Sequence, residues 1–265
     1  MAGDEEFDSH MVPPRAGRGY ASAAMAVLDP RCEQDLLAYA REVHAALGDA
    51  CVGVVLYGSA VGVDWVAGRS DFNTVIVLQR ATPERLDALA PVIARWRPKN
   101  FALPVVLDRE QVADAAQLFP MELDDIKRQH RVLAGDDPFA GIETDEAALR
   151  RECAQEAFGK LLRLRAFSLE HAGDAAALAR MMTDSVKTFV IVIRHLLRLR
   201  GEEVPQAYDT TLANGEAAVG PLPAMRQVLA QRGDASPDRA RLHVLGGEYI
   251  AEVERVVAAV VAYCA

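Results

Sequence analysis

The sequence predicts a mixed α/β (α+β) domain followed by an all-α bundle, and three observations support this fold class. Between residues 51 and 108, three short β-branched runs alternate with helical patterns, which is typical of a mixed sheet with flanking helices. From residue 144 onward strand signals are few, and four helical patterns with short links indicate an up-and-down bundle. The chain has 265 residues, of which 51% are hydrophobic, so its length and composition allow two domains with sizeable cores.

The predicted domain boundaries follow changes in the hydrophobic pattern. Residues 1–24 show no apolar period and are expected to form a mobile N-terminal tail. Residues 25–143 carry the strand signals and are predicted to form the α/β domain. Residues 144–265 are predicted to form the C-terminal helical bundle.

Helix and strand signals alternate in the first part of the α/β domain. Apolar residues recur at helical spacing in "DPRCEQDLLAYAREVHAALGDA", where Asp29-Pro30 opens the predicted helix and Gly48 closes it. The β-branched runs "CVGVVLYG" and "FNTVIVLQ" predict the first two strands. A second helix is predicted for "TPERLDALAPVIARW", with Thr82 as its N-cap.

The remainder of the α/β domain contains two further strand candidates. "ALPVVLD" is the third, and Asp108 at its end is expected to cap a short helix in "REQVADAAQ". "LFPMELDDI" is the fourth strand candidate. The next stretch, "KRQHRVL", is predicted to be a helix that ends at Gly135.

Four helices are predicted in the C-terminal part of the chain. The first two are long: "DEAALRRECAQEAFGKLLRLRAFSLEHAG" ends at Gly173 and "DAAALARMMTDSVKTFVIVIRHLLRLRG" ends at Gly201. A shorter helix follows in "PLPAMRQVLAQRG". The last, "DRARLHVLGGEYIAEVERVVAAVVAYCA", is expected to be interrupted, or to begin, near Gly246-Gly247. The arginines of "KLLRLR" and "HLLRLR" are expected on the solvated faces of these helices.

Composition narrows the classes of partner. The net charge is -9 and the pI is about 5.2, whereas nucleic-acid binding usually shows as a basic excess, so no nucleic-acid partner is expected. No apolar run is long enough for a membrane span. The four cysteines form no C-x-x-C pair, and we expect reduced thiols in a cytoplasmic protein. The histidines do not cluster in the sequence, so a histidine metal site is not expected.

A candidate phosphate site lies between the first two predicted strands. A strand, then Gly58-Ser59, then a short helix presents backbone N–H groups that suit phosphate, and Gly58 allows close approach to the main chain. Asp71 stands at the start of the next strand, and Asn73 points to the same face because strand side chains alternate. Two oxygen ligands beside the Gly-Ser turn would hold Mg²⁺ against a triphosphate.

This pattern resembles the nucleotidyltransferase superfamily, and the two-part layout resembles its aminoglycoside nucleotidyltransferase branch. The resemblance implies Mg²⁺-dependent transfer of a nucleoside monophosphate from ATP, or another nucleoside triphosphate, to a hydroxyl of a small-molecule acceptor. It assigns Gly58 and Ser59 to phosphate binding, Ser70 to nucleotide binding and Asp71 to the metal. Asn73 occupies the place of the second metal-binding aspartate. "FPMELDDIK" also resembles a stretch of uncharacterised bacterial proteins that carry a nucleotidyltransferase domain.

The family also requires a third carboxylate from a later strand, and two stretches compete for this role. "FPMELDD" offers Glu122, which we choose as the catalytic base and third metal ligand, with Asp124 on the same face. "ALPVVLD" carries only Asp108, at its end. If "ALPVVLD" is the equivalent strand, the third carboxylate is absent.

Asn73 leaves open whether the site catalyses a reaction, because an amide supplies one carbonyl oxygen and no negative charge to a metal ion. One metal ion can suffice, or another carboxylate such as Asp64 or Glu122 can substitute. Alternatively, the chain is a catalytically degenerate nucleotide-binding or interaction module on the same fold. The sequence predicts neither the acceptor nor the oligomeric state.

Overall fold

The computed structural model describes residues 28–204, 206–230 and 239–264, so the predicted tail over residues 1–24 lies outside the described part. The described residues form a mixed α/β structure, which confirms the predicted class at this level. The strands are β1 (Cys51–Tyr57), β2 (Asn73–Leu78), β3 (Val105–Asp108) and β4 (His130–Gly135). The helices are α1 (Pro30–Leu47), α2 (Pro83–Trp96), α3 (Gln111–Leu118), α4 (Pro120–Arg128), α5 (Glu146–Glu170), α6 (Ala175–Leu199), α7 (Tyr208–Val219), α8 (Pro223–Ala230) and α9 (Arg239–Cys264).

The four strands form one mixed sheet in the order β3-β2-β1-β4. β1 pairs antiparallel with β2 and β4, whereas β3 lies parallel to β2 at the edge. Tyr57, the last residue of β1, faces Asn73 on one side and His130 on the other. The end of β1 is therefore the point at which the chain enters the predicted phosphate turn.

Both faces of the sheet are covered, which explains why β1 and β2 are apolar almost throughout. Val54 and Leu56 of β1 belong to the core beneath α1 and α2. Val55, between them, belongs to the core that α3 and α4 cover on the opposite face. Because successive side chains alternate across the sheet, the two cores share a single layer of strands.

For residues 118–135 the sequence predicts a strand followed by a helix, whereas the structure has a helix followed by a strand. "FPMELDDI" forms helix α4, and "HRVLAG" in the segment predicted to be helical forms strand β4. Pro120 occupies the first turn of α4, a position at which proline is favoured. Leu123 and Ile126, three residues apart on this helix, are both buried against the sheet. The fourth strand therefore exists, but it comes after the residues predicted to form it.

Asp108 does not cap α3, since Glu110 is the N-cap residue. The Asp108 carboxylate accepts a hydrogen bond from the backbone N–H of Ala81, and its own N–H donates to Oε1 of Gln111 at 3.0 Å. Asp108 thus links the end of β3 to the loop after β2.

Five helices, rather than four, follow residue 145 in the described part of the chain, and they share one hydrophobic core. The sequence missed α7, whose threonine, asparagine and glycine residues have low helix propensity. Gly215 of α7 brings the helix close to α6, because a Cβ there would lie 2.5 Å from Cγ2 of Ile193. Packing against α6 therefore compensates for the weak local signal.

Helix α9 runs without a break through Gly246-Gly247, so the predicted interruption is wrong. A Cβ at Gly246 would lie 2.6 Å from Cδ2 of Leu178, which shows that this glycine allows α9 to approach α6 closely. None of the helices in the described ranges is long and apolar enough to cross a membrane. The up-and-down order and the domain boundaries stay predictions.

Candidate functional site

A cavity of about 310 Å³ opens where β1 ends, and we refer to it as the β1 cavity. Its wall combines the end of β1, the following turn, α4, α5, α6 and the start of α7. Gly58, Ser59 and Glu122, which the sequence predicts as site residues, all line it. The volume lies at the lower end of the range of about 300–1,000 Å³ for small-molecule pockets. The β1 cavity is therefore the candidate functional site.

The Gly-Ser turn is a single 3-10 turn, Gly58–Val61, rather than a longer helix. Gly58 has φ +77°, a left-handed conformation that favours glycine. A Cβ at Gly58 would lie 3.3 Å from Nδ2 of Asn73. The Asn73 amide is thus directed at the turn, as the alternation of β2 predicts.

Glu122 reaches the same place from the first turn of α4. The hydroxyl of Tyr57 donates a hydrogen bond to Oε1 of Glu122 at 3.1 Å. Burial and the neighbouring Glu122 charge raise the pKa of Tyr57, so the phenol remains a donor at neutral pH. Glu122 is exposed to solvent and therefore combines a fixed position with access to the cavity.

Ser70 and Asp71 lie outside the lining of the β1 cavity. The Oγ of Ser70 accepts a hydrogen bond from the Val66 N–H at 3.0 Å, and the side chain is buried within its loop. Asp71 is exposed and precedes the first residue of β2 by two positions. The structure therefore gives Ser70 a role in closing the loop and places Asp71 in the loop just before β2, not within the strand.

The alternative third carboxylate, Asp108, lies at the wrong end of the sheet. β3 runs parallel to β2, and Asp108 pairs with Leu78, the last residue of β2. Asn73 is at the opposite end of that strand. Glu122 therefore remains the candidate, although it is carried by a helix and not by the predicted strand.

Among the described residues that line the β1 cavity, the charged ones are mostly acidic. They comprise one arginine, Arg194, and five carboxylates: Asp64, Glu122, Asp125, Glu152 and Glu156. Glu152 of α5 accepts a hydrogen bond from the Met121 N–H at 2.7 Å. Burial raises the pKa of Glu152, and the neighbouring Glu156 and Glu122 add to this effect. The cavity therefore favours a ligand that brings positive charge with it.

Beside the cavity, a group of mostly buried ionic side chains joins α4 to α6, and two of its members, Asp125 and Arg194, line the cavity. Asp124, Asp125 and His195 lie close enough together that they could bind a metal ion. Sequence spacing could not reveal this group, because His195 lies about 70 residues after the two aspartates. Three arginines complete the set, which we call the α4–α6 network: Asp124, Asp125, Arg128, Arg194, Arg198 and His195.

The arginines already occupy the carboxylates of the α4–α6 network. Nη1 of Arg198 lies 2.8 Å from Oδ2 of Asp124 and 2.6 Å from Oδ1 of Asp125. Arg128 Nε lies 2.9 Å from Asp124 Oδ2, and Arg194 Nη1 lies 3.0 Å from Asp125 Oδ2. Three guanidinium groups therefore face two carboxylates, and the arrangement favours an ion-pair network over a metal centre.

His195 is fully buried within the α4–α6 network. Its Nδ1 lies 3.7 Å from Asp124 and its Nε2 lies 3.7 Å from Asp125, beyond hydrogen-bonding distance. Burial lowers its pKa to about 4, with Arg198 and Arg194 opposing the two aspartates. The imidazole is therefore neutral at pH 7, and its two nitrogens face different carboxylates.

The prediction for "KLLRLR" is confirmed, whereas that for "HLLRLR" holds for the exposed Arg200 and is wrong for Arg198. The side chains of Arg163 and Arg165 are 66% and 51% exposed, as expected for a solvated helix face. The side chain of Arg198 is only 5% exposed. The two segments look alike locally, and only the aspartates of α4 distinguish their environments.

Comparison of the sequence with models of known protein families and with curated proteins finds no match. The nucleotidyltransferase resemblance therefore rests on the residues between Val54 and Gln79, on the stretch from Phe119 to Lys127 and on the two-part layout. Further support for a function has to come from the geometry of the β1 cavity.

Proposed function

We propose that the protein is a magnesium-dependent nucleotidyltransferase that acts on a small molecule held in the β1 cavity. The observation that carries this proposal is that the Gly58-Ser59 turn and Glu122, which lies more than 60 residues later in the sequence, line one cavity. Their convergence supports a site in which phosphates and a carboxylate base meet. The specific nucleotidyltransferase fold is part of the same proposal.

In this proposal the Gly58-Ser59 turn holds the phosphates of ATP or a related triphosphate through its backbone N–H groups and the serine hydroxyl. Asp71, Asn73 and Glu122 would supply the oxygen atoms that magnesium prefers. The bound ion would neutralise the triphosphate and polarise its phosphorus–oxygen bonds. Glu122 accepts the proton of the acceptor hydroxyl as that oxygen bonds to the α-phosphorus and pyrophosphate leaves.

The acidic lining makes magnesium a requirement for binding. Glu152 and Glu156 face the cavity from α5, and Asp64 faces it from the loop before β2. A free triphosphate would be repelled by these carboxylates, whereas its magnesium complex carries less negative charge. The same carboxylates favour an acceptor that carries amino groups.

A second candidate is a nucleotide-binding module that does not turn its ligand over. Asn73 favours this candidate, because its neutral amide replaces a carboxylate beside the Gly58 turn. The strands that follow β2 also contribute no carboxylate at that end, since β3 begins at Val105 and β4 at His130. Both candidates predict that the magnesium complex of ATP binds.

We expect millimolar ATP with Mg²⁺ to raise the melting temperature, because a ligand that binds only the native state stabilises it. The shift should vanish when Mg²⁺ is replaced by EDTA and should shrink in Asp71→Ala. Differential scanning fluorimetry measures both effects. Asp87→Asn, an exposed carboxylate of α2, is the matched control and should behave like the wild type.

Pyrophosphate release from MgATP separates the two candidates. Release by the wild type that is lost in Asp71→Ala and Glu122→Gln supports the transferase. Release only by Asn73→Asp supports the non-catalytic module. Absence of any thermal shift at millimolar MgATP would exclude both.

A further inference from the structure

Two cysteines that are distant in the sequence meet in the helical part of the chain. Cys153 of α5 and Cys264, the last residue of α9, are separated by more than 100 residues. Cys153 belongs to the hydrophobic core of the helical part, Cys264 packs against the same core, and the two side chains interact with each other. The Cys153 sulfur also lies 3.7 Å from the carbonyl oxygen of Val192, so the pair sits where α5, α6 and α9 converge.

Contacts around the pair fix the end of α9 against α5. Nη1 of Arg150, one turn before Cys153, donates to the carbonyl oxygen of Tyr263 at 3.0 Å. The same guanidinium lies over the Tyr263 ring, 4.7 Å from its centroid. Arg150 is itself held by Glu146, at 2.8 Å. The approach of the two thiols therefore belongs to a set of specific contacts.

The two thiols differ in access and in charge environment. Cys153 is fully buried, whereas Cys264 is half-buried and reaches solvent. The hydrogen bond from Cys153 and the positive charge of Arg150 lower the pKa of Cys264. The same interaction and burial raise the pKa of Cys153. An accessible thiolate beside a second thiol is the arrangement found in redox-sensitive cysteines.

We propose that Cys153 and Cys264 form a peroxide-sensitive pair, in which Cys264 is attacked first and Cys153 completes a disulfide. The Cys264 thiolate attacks hydrogen peroxide, the O–O bond breaks, and hydroxide leaves and takes up a proton, giving a sulfenic acid and water. The Cys153 sulfur then bonds to the Cys264 sulfur and gives up its proton. The S–O bond breaks and a second water leaves, so peroxide is reduced as two thiols become a disulfide.

This proposal does not depend on the proposed function, but the pair adjoins the β1 cavity. Glu152, the residue before Cys153, lines the cavity and binds the backbone of α4. A bond between Cys153 and Cys264 would fix this part of α5 to the end of α9. The oxidised chain is therefore expected to be more stable, because the crosslink restricts the unfolded state.

The test uses a Cys32→Ser/Cys51→Ser variant of the full chain, which retains only the proposed pair. After brief treatment with hydrogen peroxide and alkylation of free thiols, we expect non-reducing mass spectrometry to join tryptic peptides 152–160 and 256–265. The melting temperature should rise by at least about 5 °C. Dithiothreitol should reverse both changes.

The matched control is Cys153→Ser/Cys264→Ser, which retains Cys32 and Cys51. Burial raises the pKa of both remaining thiols, and we expect no internal disulfide in this variant. Cys153→Ser alone should stop at a Cys264 sulfenic acid that dimedone captures. The proposal is wrong if the two peptides stay separate after oxidation, or if the control variant loses its thiols at the same rate.

Discussion

Replacing Arg198 with methionine is expected to lower the free energy of unfolding by about 3 kcal/mol, because it leaves buried carboxylates without their shared partner. Arg198 contacts both Asp124 and Asp125 through one nitrogen, and its side chain is almost fully buried. Methionine retains much of the apolar length of the side chain but removes the charge. Thermal unfolding should show a melting temperature lower by about 6–12 °C.

Arg165→Met is the matched control for this experiment. Arg165 pairs with Glu254 at 2.7 Å, a shorter distance than the 2.8 Å between Arg198 and Asp124. Both members of the surface pair are about half exposed, and such pairs contribute only about 0–1 kcal/mol. Equal melting temperatures for the two variants would show that the α4–α6 network does not stabilise the fold.

Stability should fall as the pH drops from 6.5 to 4, and His195 should be a main cause. The pKa of His195 is about 4 in the folded chain, against an ordinary value of 6.5. Between these values the unfolded state binds more protons, so the contribution is fully present above pH 6.5 and is lost as the pH falls. A shift of this size corresponds to about 3 kcal/mol in the free energy of unfolding.

Urea denaturation across this pH range, with His195→Gln beside the wild type, measures the effect. The variant should show a flatter pH profile. His130→Gln is the control with the opposite sign: burial lowers the pKa of His130, but Asp137 outweighs burial and raises it. Because the pKa of His130 is raised above 6.5, its contribution is complete below pH 6.5 and is lost only as the pH rises above that value. Removing His130 should therefore leave the slope between pH 6.5 and 4 like that of the wild type, and a profile of His195→Gln that runs parallel to the other two would contradict the assignment.

Below this range a second loss of stability is expected from Asp125. Burial raises the pKa of Asp125, but the positive charges of Arg194, Arg198 and protonated His195 outweigh burial and hold it at about 2. The stabilisation of its charged form by Arg194 and Arg198 is present above the ordinary value of 3.8 and disappears as the pH falls toward 2, whereas that by His195 requires the protonated imidazole that forms only toward pH 4.

The elements that the sequence predicts correctly are those with a strong local signal. α1 has an apolar stripe and the Asp29 cap, whose Oδ1 accepts the N–H of Arg31 at 2.8 Å and that of Cys32 at 2.9 Å. The prediction for the residues of α4 failed because alternating apolar and acidic residues in "FPMELDD" satisfy a strand period as well as a helix period. The outcome depends on which neighbour buries Leu123 and Ile126, and that is a property of the tertiary structure.

In the candidate site, too, contacts between neighbouring elements could be predicted from the sequence, whereas contacts that depend on tertiary packing could not. The approach of Asn73 to Gly58 follows from the pairing of two adjacent strands and could be predicted. The approach of Glu122 to Tyr57 depends on how α4 is placed, so the sequence suggested the residue but not its helix. The meeting of α4 carboxylates with α6 arginines has no local signature, because nothing in "HLLRLR" distinguishes a buried arginine from an exposed one.

The position of α4 has a consequence for how the chain unfolds. Met121 of α4 belongs to the core of the helical part, while Leu123 and Ile126 belong to the core beneath the sheet. One helix thus contributes to both cores, and loosening either core removes support from the other. We expect a single cooperative transition.

Two spectroscopic signals follow the unfolding of the sheet side and of the helical part separately and therefore test this expectation. Both tryptophans, Trp65 and Trp96, lie on the sheet side, whereas most helical residues lie in α5–α9. Denaturation curves from tryptophan fluorescence and from far-UV circular dichroism should therefore superimpose. Separate transitions would mean that α4 does not couple the two cores.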